Sequence, residues 1–198
     1  RDRLRSRGLG DVYKRQYIET PLTKEKVKEL HAGDYVYITG TVYTARDAAH
    51  KRMVEQKEQG MELPFIMKDQ IVYYLGPTPN REGQVIGSAG PTTSSRMDKY
   101  TPLLLSKGLK GMIGKGKRSQ AVIDAIVKEK AVYMAAVGGA GALLSKCIKE
   151  SEVIAYDDLG TEAIRKMRVE NLPVIVVIDS EGHNLYETAV ADYLKEHN

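Results

Sequence analysis

The sequence predicts a single α/β domain, and three observations point there. At 198 residues the chain is long enough for one substantial core. From about residue 108 onward, short apolar runs alternate with segments of helical spacing, the order expected of an open α/β layer. The first half is more mixed and richer in β signals, and no internal repeat or low-complexity segment interrupts either half.

The elements follow in order. Thr23 caps a short helix, Lys24–His31, which Gly33 closes. Asp34–Thr41, D-Y-V-Y-I-T-G-T, is crowded with β-branched and aromatic residues and predicts a strand. Arg46–Gln59 is polar, with Met53 and Val54 apolar, and predicts a helix. A loop over Gly60–Phe65 leads to a second strand, Ile71–Leu75, ended by Gly76-Pro77 and the continuing turn Pro79-Asn80. Met97–Lys107 predicts a helix and Lys110–Ile113 a short buried strand. Ser119 caps a helix through Lys128, where Val122, Ile123, Ile126 and Val127 are spaced to face a core. Ala131–Val137 is a continuous apolar strand broken by Gly138-Gly139. Beyond it the pattern predicts a helix over Ala140–Lys149, a strand over Val153–Tyr156 and a helix over Thr161–Met167. The last and strongest buried strand is Pro173–Asp179, turned by Ser180-Glu181-Gly182.

The formal charge of +4 is misleading as a guide to partners. Residues 1–16 hold six basic side chains against Asp2 and Asp11, so this stretch carries the whole excess and the other 182 residues are neutral. The pI of about 9.0 therefore gives no reason to expect nucleic-acid binding by the body of the protein. Residues 1–16 lack an initiator Met, apolar periodicity and the apolar segment of a secretory signal, and are expected to be a non-native or disordered tail before a domain spanning 17–198. Cys147 is the one cysteine, which excludes an intrachain disulfide and any cysteine-built metal site from this chain alone. No apolar run approaches the ~18 residues of a membrane span. A reducing cytoplasm is the expected setting.

Three segments carry chemistry. Gly90–Asp98 reads G-P-T-T-S-S-R-M-D, Thr44–Lys51 reads T-A-R-D-A-A-H-K, and Gly114–Ser119 reads G-K-G-K-R-S. Each sets a cation beside small or hydroxyl residues, where a loop can aim backbone N–H groups at an anion. A plainer reading stands beside each. Ser94 or Ser95 would serve as a helix cap, Arg46 and Asp47 as an ordinary ion pair, and His50 as a surface residue. Gly111–Ser119 nearly matches the phosphate loop G-x-x-x-x-G-K-[ST], but Arg118 occupies the position of the Mg²⁺-binding hydroxyl, which argues against a nucleotide-hydrolysing enzyme. The Gly138–Gly141 run is explained by a tight strand-to-helix turn, Cys147 by packing in a helix, and the 12 tyrosines by structural roles in strands.

Taken together, the strand D-Y-V-Y-I-T-G-T, the three anion segments, the Gly138–Ala142 turn and the Y-D-D-L-G-T-E-A-I stretch resemble the β subunit of class I iron–sulfur fumarate hydratase. The resemblance runs from about Pro21 to Tyr186. It implies a swivelling β/β/α domain and reversible hydration of fumarate to L-malate. It also implies a [4Fe–4S] cluster held by three cysteines of an α subunit, with one iron open as a Lewis acid. With one cysteine, this chain is expected to act only with such an α subunit, in a hetero-oligomer with two or more copies of each chain. The implied carboxylate ligands are Arg46, Arg96, Lys115 and Arg118. Thr92 matches a hydroxyl placed near the carbon that gains or loses a proton, with Thr92 and Arg96 as catalytic candidates. Lys117 departs from the family's K-G-N-R turn, where Asn is usual. The expected substrate is a small dicarboxylate, with no nucleic acid and no membrane as partner. L(+)-tartrate dehydratase, whose β subunit is built the same way, is the nearest alternative, and a non-catalytic anion-binding module is a third.

Overall fold

The computed structural model describes residues 14–137 and 141–196. These contain strands β1 (Arg15–Glu19), β2 (Tyr35–Thr44), β3 (Ile71–Tyr73), β4 (Gly111–Gly114), β5 (Val132–Ala136), β6 (Ile148–Ala155) and β7 (Ile164–Ile178). The helices are α1 (Lys24–Lys28), α2 (Asp47–Glu58), α3 (Thr101–Ser106), α4 (Gln120–Glu129), α5 (Gly141–Ser145) and α6 (Leu185–Glu196). Thr23 and Ser119 cap α1 and α4 as predicted, their hydroxyls accepting from the N–H groups of Lys26 and Val122. None of these helices is long and apolar enough to cross a membrane.

The strand order is β1-β2-β3-β4-β5-β7-β6, and β2 also pairs with β7. That extra pairing closes β2, β3, β4, β5 and β7 into a barrel-like ring, so the predicted open layer is corrected to a closed one. Neighbours from β1 through β5 run parallel, while β7 is antiparallel to β2, β5 and β6. Alternation along the short parallel strands builds two cores. Ile71, Tyr73, Ile113, Val132 and Met134 pack into one with Val36, Ile38 and Val174. Val72, Met112 and Tyr133 pack into the other with Met53, Leu104, Val122 and Ile126, which lie on α2, α3 and α4. The result is a mixed α/β fold with helices covering one face of a closed sheet.

Several sequence expectations are revised. Thr161–Met167, predicted as helix, is instead the end of a 3₁₀ turn (Asp157–Glu162) and the start of β7. Arg15 and Gln16, placed in the tail by the sequence pattern, begin β1 and pair with Tyr35 and Val36. The α6 helix carries no expectation at all. Cys147 lies between α5 and β6 rather than mid-helix, half-buried against the first core, where burial pushes its thiol up. Residues 1–13, the Gly138-Gly139 break and Ala140 lie outside the described residues.

Candidate active site

The parallel strands β2, β3 and β4 end side by side, and their carboxyl ends are where open α/β sheets place ligands. The T-A-R-D segment leaves β2 directly, and G-K-G-K-R-S leaves β4 directly. The third segment arrives from further along the chain and is laid across the ends of β3 and β4. Pro91 bridges Leu75, and Thr93 bridges Lys115. Thr92 N–H donates to the Tyr74 carbonyl (2.7 Å) and Ser94 N–H to that of Lys115 (2.8 Å). Backbone pairing thus assembles Arg46, Thr92, Arg96 and Lys115 at one end of the sheet.

Arg46 precedes the first residue of α2 in extended conformation. Its chain lies against Gly76, where an added Cβ would stand 2.7 Å from Arg46 Cδ, so a larger residue there would push the arginine side chain from this position. Two carboxylates flank it: Asp47 Oδ2 at 3.6 Å from one terminal nitrogen and Glu162 Oε1 at 3.8 Å from Nε. Glu162 Oε1 also accepts from Ala48 N–H (3.4 Å), which places its charge at the positive end of α2. Arg96 lies in a 3₁₀ turn, Ser94–Met97, and its Nε donates to Asp47 Oδ1 at 2.8 Å. Lys115 is exposed and Thr92 half-buried.

His50, fully buried on α2, is not the surface residue the sequence allows for. Its Nδ1 donates to the Arg46 carbonyl (2.8 Å), since that oxygen can only accept, which leaves Nε2 without a hydrogen-bond partner. Burial pushes its pKa down to about 4. The imidazole therefore serves as a neutral support for the backbone carrying Arg46.

Arg118 differs from the expectation of a substrate ligand. Its side chain is 0 % exposed. Nε donates to Asp98 Oδ1 (2.7 Å), one terminal nitrogen to Tyr74 Oη (3.2 Å) and the other to Thr101 Oγ1 (2.9 Å). The guanidinium carbon sits 5.2 and 4.8 Å from the Tyr74 and Tyr133 ring centres. Burial alone would lower its pKa, but Tyr74, Asp98 and Tyr133 more than offset that and hold the charge on. Asp98 Oδ2 also accepts from Ser119 N–H at 2.7 Å, so the last residue of G-P-T-T-S-S-R-M-D fastens the end of K-G-K-R-S. Tyr133 adds a second fastening: its hydroxyl donates to the Gly116 carbonyl (2.7 Å) and lies 2.8 Å from Ser94 Oγ. A Cβ at Gly114 would collide with Ser94 Oγ and the Tyr74 ring, so glycine is required beneath this junction.

The residues that sequence reasoning missed are therefore the supports: Tyr74, Asp98, Tyr133 and Glu162. Asp98 and Glu162 did fall inside quoted motifs, whereas nothing in the pattern distinguishes these two tyrosines from the other ten. A [4Fe–4S] cluster does not fit this chain. Such clusters take several thiolates, whereas this chain has Cys147 alone, and no group of three or more His, Cys, Asp or Glu among the described residues could hold a metal.

The sequence profile of the family described as the fumarase C-terminus matches residues 8–189. The chain is 37 % identical over 178 residues to fumarate hydratase 2 of Leishmania major, covering 88 % of this chain and 31 % of that one. It is 42 % identical over 155 residues to the anaerobic class I fumarate hydratase of Escherichia coli K12, covering 77 % and 28 %. A Methanocaldococcus jannaschii protein provisionally named L(+)-tartrate dehydratase subunit beta is 36 % identical over 178 residues, covering 87 % of this chain and 91 % of that one. The chain thus spans less than a third of these fumarate hydratases but most of the named subunit.

Proposed function

The chain belongs to the fumarase C-terminus family, and on that premise we propose that it supplies the carboxylate-binding part of a hydro-lyase that interconverts fumarate and L-malate. What carries this reading is the convergence of Arg46, Thr92, Arg96 and Lys115 at the ends of three parallel strands. The swivelling β/β/α architecture is proposed with it, supported by the helix-covered closed sheet.

Fumarate is a rigid dianion. In the reverse direction, removing the malate C3 proton builds negative charge on the adjacent carboxylate. Cations fixed before the reaction stabilise that charge most in the transition state. Arg46, Arg96 and Lys115 are assigned to the substrate carboxylates, and Thr92 to the carbon that exchanges the proton. A hydroxyl is a weak base unless strongly activated, so Thr92 is assigned by location. Arg118 is assigned to holding the two loops together, in place of the substrate contact suggested by its motif. The cluster is assigned to an α-type partner in a cytoplasmic hetero-oligomer, a reading supported by the near-complete match to a protein named as a β subunit. That same match favours one second reading, dehydration of L-tartrate on the same scaffold.

Anaerobic co-expression of this chain with a cluster-bearing α-type subunit, followed by parallel assays on malate and L-tartrate, tests the proposal. Malate turnover that requires both chains is expected. A preference for tartrate would move the assignment to the second reading, and activity on neither would overturn both. In the active complex, Arg96→Ala is expected to lower turnover by about 10²–10³ with the fold intact by circular dichroism, the usual effect of removing one transition-state donor. Near-normal turnover would take Arg96 out of the site.

A further inference from the structure

Both arginines assigned to the substrate lean on one carboxylate. Asp47 Oδ1 accepts from Arg96 Nε at 2.8 Å, and Asp47 Oδ2 lies 3.6 Å from the nearer terminal nitrogen of Arg46. Glu162, the other acid nearby, pairs with Arg46. Among the described residues Asp47 alone is within ion-pair distance of both arginines. It is also the first residue of α2, so a rigid element fixes its position. Arg96, by contrast, is 55 % exposed on a short turn and has a long side chain that is costly to order. Its Nε is committed to Asp47, while among the described residues no hydrogen bond or ion pair engages the two terminal nitrogens, which are the part of the fork suited to a carboxylate. Asp47 Oδ2 is buried without a hydrogen bond, as is Arg46 Nε, so the pair is held short of full satisfaction.

We infer that Asp47 is a positioning residue that holds Arg46 and Arg96 side by side, offsets their mutual repulsion and aims both at one substrate carboxylate. The inference rests on the hydro-lyase reading. Two guanidinium groups converging without a counter-charge would swing apart, and the exposed Arg96 would move first. Losing Asp47 therefore weakens substrate binding and also the transition-state stabilisation the two arginines supply, which raises KM and lowers kcat, the latter by less than removing Arg96 outright.

The test compares the wild-type complex with Asp47→Asn and Asp47→Glu, reading KM and kcat on malate. A second readout, on this chain labelled with ¹⁵N, follows the Arg96 Nε–H resonance, assigned by its loss in Arg96→Lys. Asp47→Asn keeps the size but removes the charge. It is expected to raise KM by about tenfold and to lower kcat by about tenfold, less than Arg96→Ala does, with the Arg96 Nε–H resonance lost to solvent exchange. Asp47→Glu restores the charge and is expected to recover most of the affinity. An unchanged KM in Asp47→Asn, or a fall in kcat alone, would overturn the assignment. So would a resonance that Asp47→Asn leaves in place, a readout that needs no turnover. An inactive wild-type complex whose resonance is present and sensitive to Asp47 would count against the hydro-lyase reading and leave the Asp47 pairing supported.

Discussion

At Arg118 a cation that the motif aims at an anion is turned inward instead. The residue type and its place beside Lys117 were legible in the sequence; the direction of the side chain was not, because it depends on Tyr74, Asp98, Thr101 and Tyr133, which come from three separate stretches. For Arg46 and Arg96 the same local reasoning found cations that the structure leaves accessible, since their partners lie on the site's own loops. The inward position has a measurable consequence. Arg118→Met removes one half of a buried, hydrogen-bonded pair and leaves the Asp98 carboxylate less than fully paired. Urea denaturation is expected to show a loss of about 3–5 kcal/mol, the range for breaking a buried ion pair from one side. Lysine is expected to rescue little, because a point ammonium cannot reproduce three directed contacts and two ring faces. Wild-type stability with a raised KM would instead restore Arg118 to the substrate.

Among the elements, α2 and β7 show what periodicity can and cannot reveal. The α2 prediction, Arg46–Gln59, and the observed helix, Asp47–Glu58, agree closely because its start is set locally, by Arg46 in extended conformation. The first half of β7 was misread because Ile164 and Met167, three residues apart, imitate a helical stripe. In the structure both are buried, and the strand passes through register shifts against β2 and β6 and a left-handed residue, Asn171 (φ 48°), before the regular run from Pro173. Such irregularities blur the two-residue alternation that marks a strand. The buried His50 gives α2 a pH dependence of definite sign. In the unfolded chain its pKa is the ordinary 6.5, and in the fold it is pushed down to about 4. Between those values the unfolded state binds a proton that the folded state does not. Stability is thus unaffected above pH 6.5 and falls as pH drops toward 4, by about 3 kcal/mol in all. His50→Leu is expected to flatten that part of the urea stability profile. An unchanged slope between pH 6.5 and 4 in the variant would show that another group is responsible.

For the whole molecule, the decisive feature is the pairing of β2 with β7, which no local pattern announces because its partners are about 130 residues apart. The parallel run β2-β3-β4-β5 alone would be an open sheet, as the alternation of strands and helices suggests. The antiparallel return of β7 lies against β5 on one side and β2 on the other, and turns that sheet into a ring. Closure covers the two edges that the run β2-β3-β4-β5 alone would expose and leaves β1 and β6 as the edge strands among the described residues. It also fixes the spacing of the strand ends from which the catalytic candidates project, since β2 and β3 can no longer splay without breaking β7 as well. If the ring is the cooperative unit, native-state hydrogen exchange should find the amides of Val42, Met167 and Val174 among the slowest, opening only with global unfolding. Amides of β1 and β6, which pair on one side only, should open at lower free energy. Exchange at Val42 and Met167 as fast as in β6 would mean that the β2–β7 seam opens on its own. The loops bearing Arg96 and Lys115 would then be held by their fastenings at Asp98 and Tyr133, and the rigidity of that part of the site would be a property of those few side chains instead of the fold.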